Sequence, residues 1–444
     1  MVTPYRLVAR PGWPDSVDRA GGVRENSAVA APPLILILPF ALLLAAMALG
    51  PVLAPHWWQR NYPKVALGLG LITAAAYGFI LHDRASLGHA AHEYLSFIAL
   101  VGSLYVIAGG IQITVPTGAP PWVNTLFLLA GAIVANLLGT TGAAMLLIRP
   151  WLHLNRGRVA PYHVAFFIFL VANVGGCLTP IGDPPLFLGF LQGVPFWWVA
   201  WKCWPMWAVA TGLLLALFFV VDRRAWLREP QPQRDAGTGT WGLAGAPNLI
   251  FLAVVLGALF LPRPPLLREL LMALAAAGSY FTTQKTVHAA NEFDFHPIAE
   301  VAVLFVGIFV TMIPALAWLE HGAANILGPQ PAPAIFFWAA GGLSAVLDNA
   351  PTYLGFLNSL FGLTGIREIP RLLDEQTRQL VAISVGSVFF GAATYIGNGP
   401  NFMVKAIAEQ RGVPMPSFLA FVARFTLPLL LPVLVIIWLL FFRD

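Results

Sequence analysis

Ile181-Gly182-Asp183-Pro184-Pro185 and Ile396-Gly397-Asn398-Gly399-Pro400 interrupt two long apolar stretches, 160–191 and 380–410. Gly and Pro break helices, so each stretch reads as a helix cut in two. A cut helix leaves orphan N–H and C=O groups at its new ends. Each motif is followed by Gly-Val-Pro, at 193–195 and at 412–414. The two interruptions are therefore one pattern written twice.

The repetition extends upstream. Glu93-Tyr-Leu-Ser-Phe-Ile-Ala-Leu is matched by Glu300-Val-Ala-Val-Leu-Phe, and both read as helix starts. Gly131-Ala-Ile-Val-Ala-Asn-Leu-Leu-Gly-Thr-Thr-Gly142 is matched by Gly341-Gly-Leu-Ser-Ala-Val-Leu-Asp-Asn-Ala-Pro351. Stretches 122–148 and 334–361 are too long for one helix. They carry Gly139-Thr140-Thr141-Gly142 and Asp348-Asn349-Ala350-Pro351 in the middle, so each reads as a hairpin returning to its own side.

Composition says where such elements live. The 444 residues are 58% hydrophobic and only 10% charged, with a mean hydropathy of +0.75. Soluble domains carry about 25% charge, so a water-soluble globule is excluded. The apolar segments approach the roughly 20 residues that a spanning helix needs, which excludes barrel strands. The sequence predicts an all-α polytopic membrane protein. Residues 1–33 form an extension, 34–221 a first repeat, 222–247 a basic link and 248–444 a second repeat. Each repeat holds five crossings, one of them broken, plus a re-entrant hairpin. Five is odd, so the repeats are inverted. The basic loops around Arg149–Arg158 and Arg223–Arg234 fall on one side, which the positive-inside rule makes cytoplasmic. Both termini then lie outside a cell inner membrane.

Irregular backbone at membrane depth is tolerated only where it lines a buried cavity or ion path. Paired interrupted segments in two halves mark a transporter's midplane site. Of twenty acids, only Asp183 and Asp348 fall inside breaks, where charge is costly and is kept for function. The plainer reading of each is a cap on a half-helix. Thr140, Thr141, Asn349 and Thr352 offer oxygens at the hairpin tips. Thr179, Thr394 and Asn398 do so at the breaks, with Asn173 and Asn401 beside them. Any of these could simply be a turn or cap residue, and Asn136 a helix–helix hydrogen bond. Lys405 faces four readings: pairing with an acid such as Glu409, replacing a cation, contact with an anionic substrate, or snorkelling. Glu93 and Glu300 read as dipole-complementing charges, and Lys202 and Arg424 as interfacial. Trp57, Trp58, Trp197, Trp198, Trp201 and Trp204 cluster near segment ends, as an aromatic belt would. Cys177 and Cys203 give no disulfide framework, and His89 and His92 lack a third metal ligand. A net charge of +5 spread over loops argues against nucleic acid. No Walker motif supports ATP-driven transport, and Leu347-Asp348 and Gly182-Asp183 do not fit a protease dyad. No enzyme and no organic cofactor are expected.

Asn173-Val-Gly-Gly-Cys-Leu-Thr-Pro-Ile-Gly-Asp-Pro-Pro-Leu-Phe-Leu-Gly189, Leu347-Asp-Asn-Ala-Pro-Thr-Tyr-Leu354 and Thr394-Tyr-Ile-Gly-Asn-Gly-Pro-Asn-Phe-Met403 resemble the ion transporter superfamily. More narrowly they resemble its sodium:proton antiporter and citrate transporter branch, related to arsenite permeases. Gly139–Arg149 belongs to the same pattern, and the likeness covers most of 34–442. It implies an elevator-type secondary transporter, often a homodimer, whose hairpin tips clamp an ion or substrate against the breaks. Carboxylate-transporting relatives carry Ser-Asn-Thr at the tips; here they read Gly-Thr-Thr and Asp-Asn-Ala-Pro.

The residues then predict Na⁺/H⁺ exchange. Asp183, Asp348, Asn349 and Asn398 would hold Na⁺, with Na⁺ and H⁺ as coupling ions. Na⁺- or H⁺-coupled citrate or dicarboxylate transport is the alternative, and arsenite or oxyanion efflux the third reading.

Overall fold

A computed structural model describes residues 32–228, 239–261, 266–328 and 331–443. Most of the expected extension, Arg234 in the expected link, and residues 262–265 lie outside the described residues. Helices α1 (Leu38–Leu53), α2 (Pro55–Ala75, running on to Ile80) and α3 (Arg84–Gly109) open the chain. Then come α4 (Pro121–Leu154), α5 (Pro161–Leu170), α6 (Pro184–Leu191) and α7 (Phe196–Arg228). The second half supplies α8 (Asn248–Ala258), α9 (Leu267–Thr282), α10 (Lys285–Ala290) and α11 (His296–Leu327). It closes with α12 (Pro333–Ser344), α13 (Asn349–Thr364), α14 (Ile369–Glu375), α15 (Thr377–Phe390), α16 (Gly399–Gln410) and α17 (Phe418–Phe442). Among the described residues, eight helices are long and apolar enough to cross a membrane. The chain is a multi-pass helical membrane protein.

The 34-residue α4 folds back on itself at Gly139, whose φ of 72° and ψ of 158° no helix contains. Its two ends meet: Asn124 Nδ2 donates to Asn155 Oδ1 at 2.7 Å, and Phe127 stacks on Trp151 with centroids 5.5 Å apart. A Cβ at position 139 would also lie 3.1 Å from the Ile181 carbonyl. Glycine is therefore demanded twice over, by the positive φ and by the close approach of the first break. In the second half α12 and α13 make the corresponding pair. Phe336 meets Phe356 edge-on at 6.4 Å, and Ala345–Asp348 form the tip.

Three expectations need correction. Glu93 does not start a helix. Asp83 caps α3 ten residues earlier by accepting the Ser86 N–H at 3.0 Å and its hydroxyl at 2.6 Å. The second half shows the same on a smaller scale, since Glu300 lies in the second turn of α11, which opens at His296. The link does not begin at 222, because α7 continues to Arg228 and buries Asp222. The all-α class stands, with one short addition. Gln112–Thr114 and Gly242–Ala244 pair as antiparallel strands β1 and β2, satisfying backbone groups that no helix claims. The crossings expected at 248–261 and 266–282 are α8 and α9, of 11 and 16 residues.

Candidate functional site: a buried carboxylate between two broken helices

Each break is built the same way. After α5, a 3₁₀ turn (Val174–Leu178) leads to Asp183, the N-cap of α6; after α15, Gly391–Ala393 leads to Asn398, the N-cap of α16. The two caps have nearly the same backbone, φ −146°, ψ 143° and φ −151°, ψ 139°. Within each break two glycines touch through their backbones. A Cβ on Gly182 would sit 2.0 Å from the Gly176 oxygen, and one on Gly397 would sit 2.7 Å from the Gly391 oxygen.

Two threonines tie the breaks to the hairpins. The Thr179 hydroxyl donates to the Asn136 carbonyl at 2.7 Å and accepts the Gly182 N–H at 3.1 Å. The Thr394 hydroxyl donates to the Ala345 carbonyl at 2.6 Å and accepts the Gly397 N–H at 3.1 Å. Asn136 does more than join helices: it donates to the Gly175 carbonyl at 2.7 Å and accepts the Leu178 N–H at 2.9 Å. Orphan groups of the cut helix are thereby satisfied, as buried backbone requires.

At the centre lies Asp183, 0% exposed. Its Oδ1 accepts from the Thr140 hydroxyl at 2.7 Å and from Asn398 Nδ2 at 2.9 Å. Its Oδ2 accepts from Asn349 Nδ2 at 2.5 Å. The Thr140 N–H meanwhile donates to the Gly182 carbonyl at 2.7 Å. Both hairpin tips and both breaks thus converge on one carboxylate. All three donors are neutral, and among the described residues no Lys, Arg or His hydrogen-bonds to Asp183.

Other sequence candidates fall around this point. Asn173 and Asn401 are fully buried behind Asn398 and bonded to one another at 2.7 Å. Asp348 does not join the cluster; it caps α13, with Oδ1 accepting the Ala350 N–H at 3.0 Å. Thr352 bonds back to the Asp348 carbonyl at 3.0 Å. Thr141 is half-buried and lines a 20 Å³ cavity with Leu104, Pro180, Ile181 and Pro184. Lys405 pairs with Glu409 at 2.8 Å and lies over the Tyr395 ring, away from Asp183. Lys202 and Arg424 are exposed. Among the described residues no His/Cys/Asp/Glu cluster could hold a metal ion.

Sequence reasoning missed a second buried carboxylate. Asp222, also 0% exposed, takes both guanidinium arms of Arg158 (2.6 and 3.1 Å), the Tyr162 hydroxyl (2.8 Å) and Asn124 Nδ2 (2.9 Å). His163 Nε2 lies 3.2 Å away. The Ala160 N–H donates to His163 Nδ1 at 3.1 Å, which places the ring proton on Nε2, facing Asp222. A second unexpected pair joins Glu93 to Gln192, whose Nε2 donates to Oε1 at 2.5 Å.

A multi-pass bundle with two broken helices and two hairpins meeting at a buried polar centre has the architecture of a membrane transporter. The family described as putative citrate transport matches residues 29–442, and the chain belongs to that family, within the ion transporter superfamily. No curated protein matches the chain.

Proposed function

We propose that the chain is a secondary transporter that moves a carboxylate of the citrate class, coupled to a Na⁺ or proton carried on Asp183. The observation that carries this reading is the cage around Asp183, made of neutral donors alone. A buried carboxylate without a countercharge calls for a proton or a metal cation. A polyanionic substrate could share the site only once that cation is in place. Family membership supports citrate as the substrate class. The hairpins, re-entrant from opposite faces, and the half-helices would move as one unit between two inverted repeats, in an inner membrane with the basic loops inside.

Na⁺/H⁺ exchange on the same carboxylate is the second reading, favoured by the lack of a Lys or Arg donor for a polyanion in the cage. One proteoliposome experiment separates the two. Labelled citrate uptake driven by an imposed Na⁺ or pH gradient supports the first. Na⁺-driven proton movement with no citrate uptake supports the second. Under either, Asp183→Asn abolishes coupling; full coupled transport by that variant sinks both.

A further inference from the structure

Two amides touch Asp183, and their surroundings differ. Behind Asn398 runs a line of side chains that begins on main-chain carbonyls. Asn401 Nδ2 donates to the carbonyls of Gly391 (2.7 Å) and Thr394 (2.8 Å). Carbonyls only accept, so the nitrogen of Asn401 must face them and its oxygen must face away. That oxygen accepts Asn173 Nδ2, which also donates to the Ile168 carbonyl at 2.8 Å. Asn173 Oδ1 is thereby turned toward Asn398 and accepts its Nδ2 at 3.2 Å. The same nitrogen reaches the Ala172 carbonyl at 3.1 Å and Asp183 Oδ1 at 2.9 Å. Every contact of that nitrogen is an acceptor, so turning the Asn398 oxygen inward would set it against three of them.

Asn349 has no such backing. Its nitrogen bonds Asp183 Oδ2, while its oxygen, fully buried, finds no partner among the described residues.

We propose that Asn173 and Asn401 are positioning residues that lock Asn398 as a permanent N–H donor to Asp183. Asn349 is left as the one amide at the carboxylate able to turn its oxygen inward. The lock crosses the two halves: Asn173 belongs to the first break and holds a cap of the second. Its effect on transport rests on the reading of Asp183 as the coupling group; the hydrogen-bond direction does not.

The test is a double-mutant cycle in the full-length protein. Asn173→Leu and Asn398→Leu are made singly and together, in nanodiscs and in proteoliposomes. The first readout is the infrared band of the Asp183 carboxyl group, assigned by its loss in Asp183→Asn. The second is the cation concentration giving half-maximal transport. Asn173→Leu should shift the band and raise the half-maximal concentration about fivefold, the scale of one hydrogen bond. In the Asn398→Leu background the same change should move neither readout more than about twofold, because its effect passes through Asn398. Equal effects in both backgrounds overturn the lock. If the leucine variants do not fold, Asn401→Asp, whose carboxyl offers at most one donor to the two carbonyls, is cycled against Asn398→Ala and must give the same pattern. If the wild type shows no coupled transport, the functional reading fails while the infrared cycle still decides the lock.

Discussion

Asp183 and Asp222 are the same residue type at the same exposure, 0%, yet their surroundings have opposite character. Asp222 is met by a bidentate guanidinium, a phenol, an amide and an imidazole N–H. Asp183 has two amides and one hydroxyl. The first is neutralised by its own protein; the second is left one charge short. Asp222 binds the open ends of the first hairpin to α5 and α7 and has nothing left to offer a ligand. Burial alone therefore does not mark a functional carboxylate. What sets Asp183 apart, and grounds its proposed role, is burial without a countercharge.

The widest gap between the two appears on removing each. Asp222→Ala strands the Arg158 guanidinium, 7% exposed, and should cost about 3–5 kcal/mol, the scale for breaking a buried ion pair. Asp183→Asn removes an uncompensated charge and keeps the shape, so the fold should survive with transport lost. Thermal unfolding in detergent, followed by tryptophan fluorescence, checks both. Comparable losses of stability would erase the distinction.

The site was legible because charge is scarce: an acid between Gly182 and Pro184, repeated as an amide between Gly397 and Gly399, stands out in apolar sequence. The hairpins were legible because Gly139 and Pro351 punctuate runs too long for one helix. Asp222 was not, because it precedes Arg223 and Arg224 where an apolar segment gives way to basic residues. Helix α7 nevertheless carries through them to Arg228; such arginines can snorkel from a helix end. Its partners lie 59 (Asp222 minus His163) to 98 positions away, and no local pattern announces them. Asp348 was legible as a cap: its Oδ1 accepts the Ala350 N–H, and among the described residues no hydrogen bond joins it to Asp183.

A smaller effect sharpens the comparison from the side of backbone. The cage of Asp183 depends on the Gly176–Gly182 approach, whereas every donor to Asp222 is a side chain. Gly182→Ala puts a Cβ against backbone, not against a flexible side chain, and overpacking of that kind costs about 1–3 kcal/mol. The strain falls on the loop that aims Asp183, so transport should fall more than stability does. Gly342→Ala, with open space around its Cβ, is the control that should change neither. A transport rate in Gly182→Ala within twofold of wild type would mean the loop can relax without moving the carboxylate.

The smallest effect concerns a third acid, Glu292, which has countercharge but little burial. It is half exposed and accepts from Arg149 at 3.3 Å and from Arg411 at 2.5 Å, the first on the helix unit that bears Thr140 and the second at the end of the helix that Asn398 caps. Asp222 gains from its arginine because water is absent, whereas Glu292 and its partner Arg411 are both half exposed, and exposed pairs contribute about 0–1 kcal/mol. Glu292→Gln should therefore lower stability by less than about 1 kcal/mol, and high salt should remove the difference. Unfolding curves at low and high salt measure it. A loss as large as that of Asp222→Ala would show that position, not dehydration, sets the worth of an ion pair in this protein. That result would take away the physical ground for separating Asp183 from Asp222.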